Sequence, residues 1–274
     1  MSLEKNVEDF GPSLTEYGRL WARYRKAGFD RTLDPDDKEN TFDSEWAFHH
    51  YYTNGADALR IIVKGLIAAE LPPPERILDF PCGSGRVTRH MRAMFPQAEI
   101  GACDLYAHHV AFCTQQFGAK PLISREDLAE LDVGEWDVVF CGSLVTHLPQ
   151  RLFWPTMDFM IRSLKPGGIA VVTLEGRRAL HIQDNMWKLI GDEQFEVARK
   201  GYDQTGFGFV DYDPEFLNAK FNEQESYGVA LVRPDWLMAG LAERSNVTIL
   251  NYTEADWDEH QDVVTIQRRP VAFT

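Results

Sequence analysis

Between Arg76 and Leu174, short apolar runs alternate with stretches of helical periodicity, and few folds are open to such a chain. Arg76-Ile77-Leu78-Asp79-Phe80 reads as a buried strand, after which Val87, Met91 and Met94 recur at helical spacing until Pro96 closes the run. Glu99-Ile100-Gly101-Ala102-Cys103 is a second strand, followed by a helix through Val110, Thr114 and Phe117 that ends at Gly118. Pro121-Leu122-Ile123 gives a third strand and Trp136-Asp137-Val138-Val139-Phe140-Cys141 a fourth, with a helix from Phe153 to Leu164 behind it. Lys165-Pro166-Gly167-Gly168 predicts a tight turn into a fifth strand, Ile169 to Leu174. Strands joined through helices run parallel with right-handed crossovers. Val247 to Tyr252 and Val263 to Gln267 alternate like two last strands, and the connection Thr253 to Asp262 suits an antiparallel hairpin at the sheet edge. The expected fold is α/β, doubly wound around a mostly parallel, seven-stranded Rossmann-like sheet, with a C-terminal antiparallel hairpin and a helical cap.

The flanking segments are less regular. Tyr17, Leu20, Trp21 and Tyr24 recur at helical spacing, and Asp34-Pro35-Asp36-Asp37-Lys38-Glu39-Asn40 reads as an exposed loop. Leu59, Ile62, Val63, Leu66 and Ile67 form the stripe of a second helix, which Leu71-Pro72-Pro73-Pro74 ends. From 176 to 230 the pattern loosens into helical fragments and stretches rich in glycine and aromatics. The expected division is a helical cap over 1–74, a ligand-binding core over 75–175, an insertion over 176–240 on the substrate side, and sheet-completing strands over 241–274.

Charge narrows the partners. The chain carries 28 basic against 42 acidic residues, a net charge of −14. Nucleic-acid binding draws on counterion release at basic surfaces, so a small-molecule partner is expected and a nucleic acid is not. No apolar run approaches the ~20 residues of a membrane span, and Met-Ser-Leu-Glu-Lys-Asn lacks the apolar stretch of a secretory signal. Cys82, Cys103, Cys113 and Cys141 show no CxxC spacing, as expected of buried thiols in a reducing cytoplasm.

In a sheet of this kind ligands bind beyond the carboxyl ends of the strands, near the point where strand order reverses. The loop after the first strand contains Gly83-Ser84-Gly85-Arg86-Val87-Thr88, nearly a GxGxxG sequence, running into a helix N-terminus. Thr88 stands where the third glycine of a dinucleotide site belongs. Asp79 would repel a pyrophosphate but suits a ligand carrying an ammonium group. Asp104, ending the second strand, suits the two hydroxyls of a ribose.

Four motifs in order carry a family resemblance. Ile77-Leu78-Asp79-Phe80-Pro81-Cys82-Gly83-Ser84-Gly85 and Ile100-Gly101-Ala102-Cys103-Asp104-Leu105 resemble the first two motifs of class I S-adenosylmethionine-dependent methyltransferases. Trp136 to Phe140 with Ser143-Leu144-Val145-Thr146-His147-Leu148 is similar to the family's fourth-strand region, and Leu164-Lys165-Pro166-Gly167-Gly168 to the turn before its fifth strand. The resemblance implies S-adenosyl-L-methionine as cofactor. It places Asp79, Phe80, Pro81, Cys82, Gly83 and Gly85 around the methionine part, Asp104 on the ribose and Leu105 on the adenine. Asp127-Leu128, with Ser124 or Glu126 as alternatives, would face the adenine amino group, and Cys141, Gly142 and Ser143 would border the cofactor after the fourth strand. Tyr52 and Gly55 would contribute from an N-terminal lid. Pro81 departs from the family's usual glycine, which removes an N–H and fixes φ.

Methyl transfer from a sulfonium needs alignment and exclusion of water more than protein chemistry, with a base only for a protonated nucleophile. His147 is the candidate base, with an imidazole as the alternative structural role. The loop Cys141 to His147 lacks the Asn/Asp-Pro-Pro-aromatic signature of many amino-group methyltransferases and an acidic residue suited to Mg²⁺, so no metal is expected. His181, Glu175 and Asp184 are candidates for the acceptor pocket, as are Phe207, Phe209, Tyr212, Phe216 and Phe221. His260-Gln261-Asp262 is expected to serve hydrogen bonding at the sheet edge. A small-molecule O- or N-methyltransferase is the leading expectation, with a nucleotide-dependent oxidoreductase and a non-catalytic cofactor-binding relative as alternatives.

Overall fold

The computed structural model describes residues 12–37, 44–220 and 226–270. Lys38, Glu39, Asn40 and Phe221, each named in the sequence reading, lie outside the described residues. Two helices, α1 (Pro12–Ala27) and α2 (Glu45–Ala68), precede the strands. The α/β alternation then runs β1 (Arg76–Asp79), α3 (Thr88–Met94), β2 (Glu99–Asp104), α4 (Ala107–Phe117), β3 (Lys120–Ile123) and β4 (Trp136–Cys141). A 3₁₀ turn, Val145–His147, leads to α5 (Gln150–Arg162) and β5 (Leu164–Leu174).

The sheet is seven-stranded, and the chain finishes it with β8 (Val247–Trp257) and β9 (Gln261–Arg268) in the order β3-β2-β1-β4-β5-β9-β8. Neighbouring strands from β3 to β5 are parallel, and β9 runs antiparallel to both β5 and β8. Strand order reverses between β1 and β4, which opens the crevice beyond their carboxyl ends. Adjacent residues on each central strand serve opposite layers, as the two-residue period of a strand requires. Ile77, Val138, Val171 and Val263 pack with Leu59, Ile62 and Leu66 of α2 and with α3 and α4, whereas Leu78, Val139, Val172 and Val264 pack with Phe153, Met157 and Met160 of α5. The helix α2 is therefore a layer of the core.

Three local expectations change. The residues Lys165 to Gly168 form a bulge inside β5, because Trp136 pairs with Leu164 and Val138 with Ile169, with Gly167 at φ 87° absorbing the extra length. For the same reason α5 stops at Arg162, short of Leu164. The predicted connection Thr253 to Asp262 is mostly strand: Thr253 pairs with Val263, Trp257 with Gln261, and only Asp258, Glu259 and His260 turn. The segment after residue 176 holds α6 (Arg177–Asn185), α7 (Asp192–Thr205), β6 (Phe207–Asp211), α8 (Pro214–Lys220), β7 (Gly228–Val232) and α9 (Pro234–Ala242). Its two strands, absent from the sequence reading, pair antiparallel as a second sheet. Gly208 permits this, since a Cβ there would lie 1.7 Å from the Ala198 carbonyl oxygen of α7.

The α2–α3 crossing is equally tight. A Cβ on Gly55 would lie 2.2 Å from the Arg86 carbonyl oxygen and 2.6 Å from His90 Cδ2. His90 is fully buried, shares a 2.7 Å hydrogen bond with the Tyr24 hydroxyl, and is held neutral by burial, which pushes its pKa down to about 3. Gly55→Ala is therefore expected to cost about 1–3 kcal/mol through overpacking, read as a lower urea midpoint at unchanged slope.

Candidate active site

A cavity of about 280 Å³ opens beyond the carboxyl ends of β1, β2 and β4. Its wall starts with the loop after β1, from Phe80 to Ser84 with Arg86 and Val87, and continues with Asp104, Leu105 and Tyr106. Ser124, Arg125, Glu126 and Leu128 close it after β3, and Gly142, Ser143, Leu144, His147 and Leu148 after β4. More distant parts of the chain add Asp37 and Tyr51, Leu152 and Thr156 of α5, Ser226 and Tyr227 before β7, and Trp257 at the tip of the β8–β9 hairpin.

The loop after β1 begins as an extension of the sheet: the Phe80 N–H donates to the Phe140 carbonyl and the Cys82 N–H to the Cys103 carbonyl, both at 3.0 Å. The peptide between Phe80 and Pro81 is cis. The two glycines that follow do different work. Gly83, at φ 49°, lines the cavity and has no heavy atom within 4 Å of the place a Cβ would occupy. Gly85, at φ 78°, turns the other way, where a Cβ would lie 2.4 Å from the Phe117 ring of α4. The helix expected at once after the glycines starts only at Thr88, so no helix terminus adjoins Gly83.

Asp104 meets this loop from β2. Its Oδ2 accepts from the Gly83 N–H at 2.8 Å and its Oδ1 from the Tyr106 N–H at 2.9 Å. Asp104 lines the cavity, and a carboxylate oxygen can accept more than one hydrogen bond. His109 Nδ1 lies 3.5 Å from Oδ1; burial alone would lower the pKa of this histidine, but Asp104 and the nearby charges of Asp37 and Asp34 together raise it. Asp79 lies behind the wall. It is buried, accepts a 2.5 Å hydrogen bond from the Thr88 hydroxyl on Oδ2, and has no partner for Oδ1 among the described residues. Burial pushes its carboxyl up to about 7 against the opposing pull of Thr88.

His147 lies on the wall with its Nδ1 2.7 Å from the Gly228 carbonyl oxygen of β7. A carbonyl only accepts, so in the neutral ring the proton sits on Nδ1 and the basic lone pair on Nε2. The Tyr212 hydroxyl is 3.2 Å from the same nitrogen, and the Tyr227 ring lies 4.6 Å away. The imidazole is thus bonded to the backbone, the structural role weighed for it from sequence, and it stands on the cavity wall.

The structure gathers Phe80, Pro81, Cys82, Gly83, Asp104, Leu105, Leu128, Gly142, Ser143 and His147 on one wall. Asp79, Gly85, Asp127, Cys141, Tyr52 and Gly55 are not part of it. Asp127 is exposed and caps the Ala129 N–H, while its neighbours, the exposed Glu126 and the buried Leu128, line the cavity. Cys141 is buried beneath the loop it precedes. Tyr52 donates to the Arg31 carbonyl, and Tyr51, one residue and about 100° earlier on the helix, faces the cavity in its place. His181 and Asp184 are exposed on α6, and the buried Glu175 is likewise off the wall.

The segment read as an exposed loop also changes. Asp34 and Asp37 are buried: the Ser84 hydroxyl donates to Asp34 and the Tyr51 hydroxyl to Asp37, each at 2.8 Å. Arg89, 1% exposed, donates to the Gly85 carbonyl at 2.9 Å and the Thr32 carbonyl at 3.0 Å, lashing this segment to the loop after β1. Sequence reasoning missed Asp37, Tyr51 and Trp257 on the wall. Only the aromatic pair at 51–52 offered a signal.

The model of a family described as a methyltransferase domain matches residues 78–170. An uncharacterized protein of a Synechococcus species is 34% identical over 103 residues, covering 34% of this chain and 24% of that protein, so the match spans about a quarter of the relative's length. Three solved structures share the fold. The PH0226 protein of Pyrococcus horikoshii superposes with a TM-score of 0.54 at 11% identity, covering 86% of this chain and 97% of its own. DhpI in complex with SAH gives 0.51 at 17% identity, with coverage of 95% and 98%. An S-adenosylmethionine-dependent methyltransferase of Clostridium acetobutylicum gives 0.50 at 13% identity, with coverage of 93% and 99%.

Two measurements follow from the protonation states. Burial, then the neighbouring Asp262 charge, pushes the Glu175 carboxyl up to about 8 from its ordinary 4.5. Between those values the folded protein holds more protons than the unfolded chain, so Glu175 lowers stability as pH rises through that window. Glu175→Gln should therefore be more stable than the parent by a few kcal/mol at pH 9, with the advantage gone by pH 4, in urea titrations across that range. For His147, ¹⁵N NMR of the imidazole should show the Nδ1–H tautomer at pH 8; an Nε2–H signal would contradict the bond to Gly228.

Proposed function

We propose that this chain, whose residues 78–170 match the model of a methyltransferase domain, transfers a methyl group from S-adenosylmethionine to an oxygen or nitrogen of a small-molecule acceptor. The observation that carries the reading is Asp104, a carboxylate held on the cavity wall by two backbone N–H groups; carboxylate oxygens accept more than one hydrogen bond each, which suits the hydroxyls of a ribose. The rest of the wall fits the same ligand. Leu105, Leu128, Leu148 and Leu152 offer an apolar slot for a purine, with Ser124 and Glu126 beside it as polar partners for an exocyclic amine. Gly83 leaves open the space a side chain would fill, which admits the methionine part close to the backbone. Asp79, behind Thr88, has a buried carboxyl without a full set of partners, and a nearby ammonium group would favour its charged form.

When bound, S-adenosylmethionine supplies the electrophilic methyl. The chain's own task is to hold an acceptor in line with it and keep water out. His147 would receive the proton of a hydroxyl or ammonium acceptor on Nε2, while its Nδ1–H stays on the Gly228 carbonyl. The acceptor would lie toward Ser226 and Tyr227, so that the segment 176–240 would be the substrate side, with Asp37 and Tyr51 beside the cofactor. The net charge of −14 supports an acceptor other than nucleic acid. All four cysteines are free and buried, in keeping with a reducing compartment such as the cytoplasm. No helix among the described residues is long and apolar enough to cross a membrane.

Calorimetry with S-adenosylhomocysteine tests the reading. The protein should bind it, and Asp104→Ala should weaken binding roughly a hundredfold, the worth of two hydrogen bonds to a charged group. No binding at millimolar ligand, or binding of a nicotinamide dinucleotide instead, would overturn it.

A further inference from the structure

Ser143 holds a left-handed backbone, φ 56°, which a residue with a side chain adopts only when its surroundings compel it. Three hydrogen bonds compel it. The Ser143 N–H donates to Thr173 Oγ1 at 2.8 Å, the Thr173 hydroxyl donates to Gln261 Oε1 at 2.6 Å, and Gln261 Nε2 donates to Ser143 Oγ at 3.0 Å. In this arrangement each of the three groups donates to the next, and the ring of hydrogen bonds is closed. Thr173 and Gln261 are both buried, so neither has water as an alternative partner.

Gln261 reaches this loop from far along the chain. It opens β9 directly after the Asp258–His260 turn, and α2 clamps that hairpin tip: Asp256 pairs with Arg60 at 3.0 Å and Lys64 at 2.6 Å, and Asp57 accepts from the Asp258 N–H at 2.8 Å. The residue it holds is on the cavity wall, next to Gly142.

We propose that Gln261 is a positioning residue for the cofactor: with Thr173 it locks Ser143 in the left-handed conformation and so fixes the Gly142–Ser143 backbone that faces the cavity. The proposal rests on the cofactor reading above. Without the Gln261 amide, Ser143 relaxes toward ordinary backbone angles and its peptide groups turn away from their bound orientation. A glycine at 143 would keep the positive φ without that amide, because it lacks the Cβ that makes the conformation costly.

The test is calorimetric titration of S-adenosylhomocysteine into the protein, Gln261→Ala, and the double variant Gln261→Ala with Ser143→Gly, with urea midpoints recorded in parallel. Gln261→Ala should weaken binding about tenfold or more. The added Ser143→Gly should recover most of that loss while leaving the urea midpoint of the single variant unrestored. Parent-like affinity in Gln261→Ala, or a double variant as weak as the single, would overturn the proposal. Failure of the unaltered protein to bind would remove the cofactor reading itself. Should Gln261→Ala not fold, Gln261→Met is read in its place: it keeps the length of the side chain, removes both the acceptor for Thr173 and the donor to Ser143, and must show the same loss and the same recovery.

Discussion

The hydrogen bond from the Gly83 N–H to Asp104 Oδ2, 2.8 Å long, ties the end of β1 to the end of β2 and sets the shape of everything above the sheet. Parallel strands leave their carboxyl ends without a common cover, because each chain segment departs into its own crossover. Here one carboxylate gathers the first two departures, and the other elements build on the result. Ser84 beyond it receives Asp34, Arg89 fastens the N-terminal segment to the same loop, and the second oxygen of Asp104 fixes Tyr106 at the start of α4. A buried carboxylate with two backbone donors is well satisfied, and this one stands on the cavity wall.

Elsewhere, burial works against charge. Asp79, Glu175 and Asp262 all have carboxyls raised from their ordinary range, burial being the largest cause in each. Asp262 retains donors in Tyr252 and the Ala255 N–H, whereas among the described residues Glu175 has His260 alone, 3.6 Å away. Buried groups in this condition lower stability and are commonest where a fold serves binding or catalysis. Asp79 fits that description, directly behind the loop of the cavity. Glu175 lies at the end of β5 among residues that the cavity does not use.

The parallel core was legible because each central strand alternates between two buried layers, as Ile77 with Leu78 and Val138 with Val139 do, and each crossover helix repeats its own stripe. Asp104 and Gly83 were legible because strand ends and close backbone approaches demand specific residue types. What escaped was decided by partners distant in sequence. Asp34 and Asp37 sit in a run of charges and proline that reads as solvent-exposed, yet they are buried by Ser84 and Tyr51, residues that local composition cannot reveal. The strands β6 and β7 are five residues each, and their glycines, which suggested loops, are there because another backbone comes too close for a Cβ. Tyr52 and Tyr51 differ only in direction around one helix, which depends on where α2 meets the sheet. Gln261 was recognised as a hydrogen-bonding residue, but its partner is on a loop more than a hundred positions earlier.

The bond between His147 and the Gly228 carbonyl joins the loop after β4 to a strand of the second sheet. Gly228 has no room to vary, since a Cβ there would stand 1.9 Å from the Val210 carbonyl oxygen of the paired strand. The pairing of two short strands, well outside the α/β core, thus decides which nitrogen of a cavity imidazole bears its proton. Exchanging this sheet for another would take away the carbonyl that holds the Nδ1 proton of His147, and with it the ring's preference between its two tautomers.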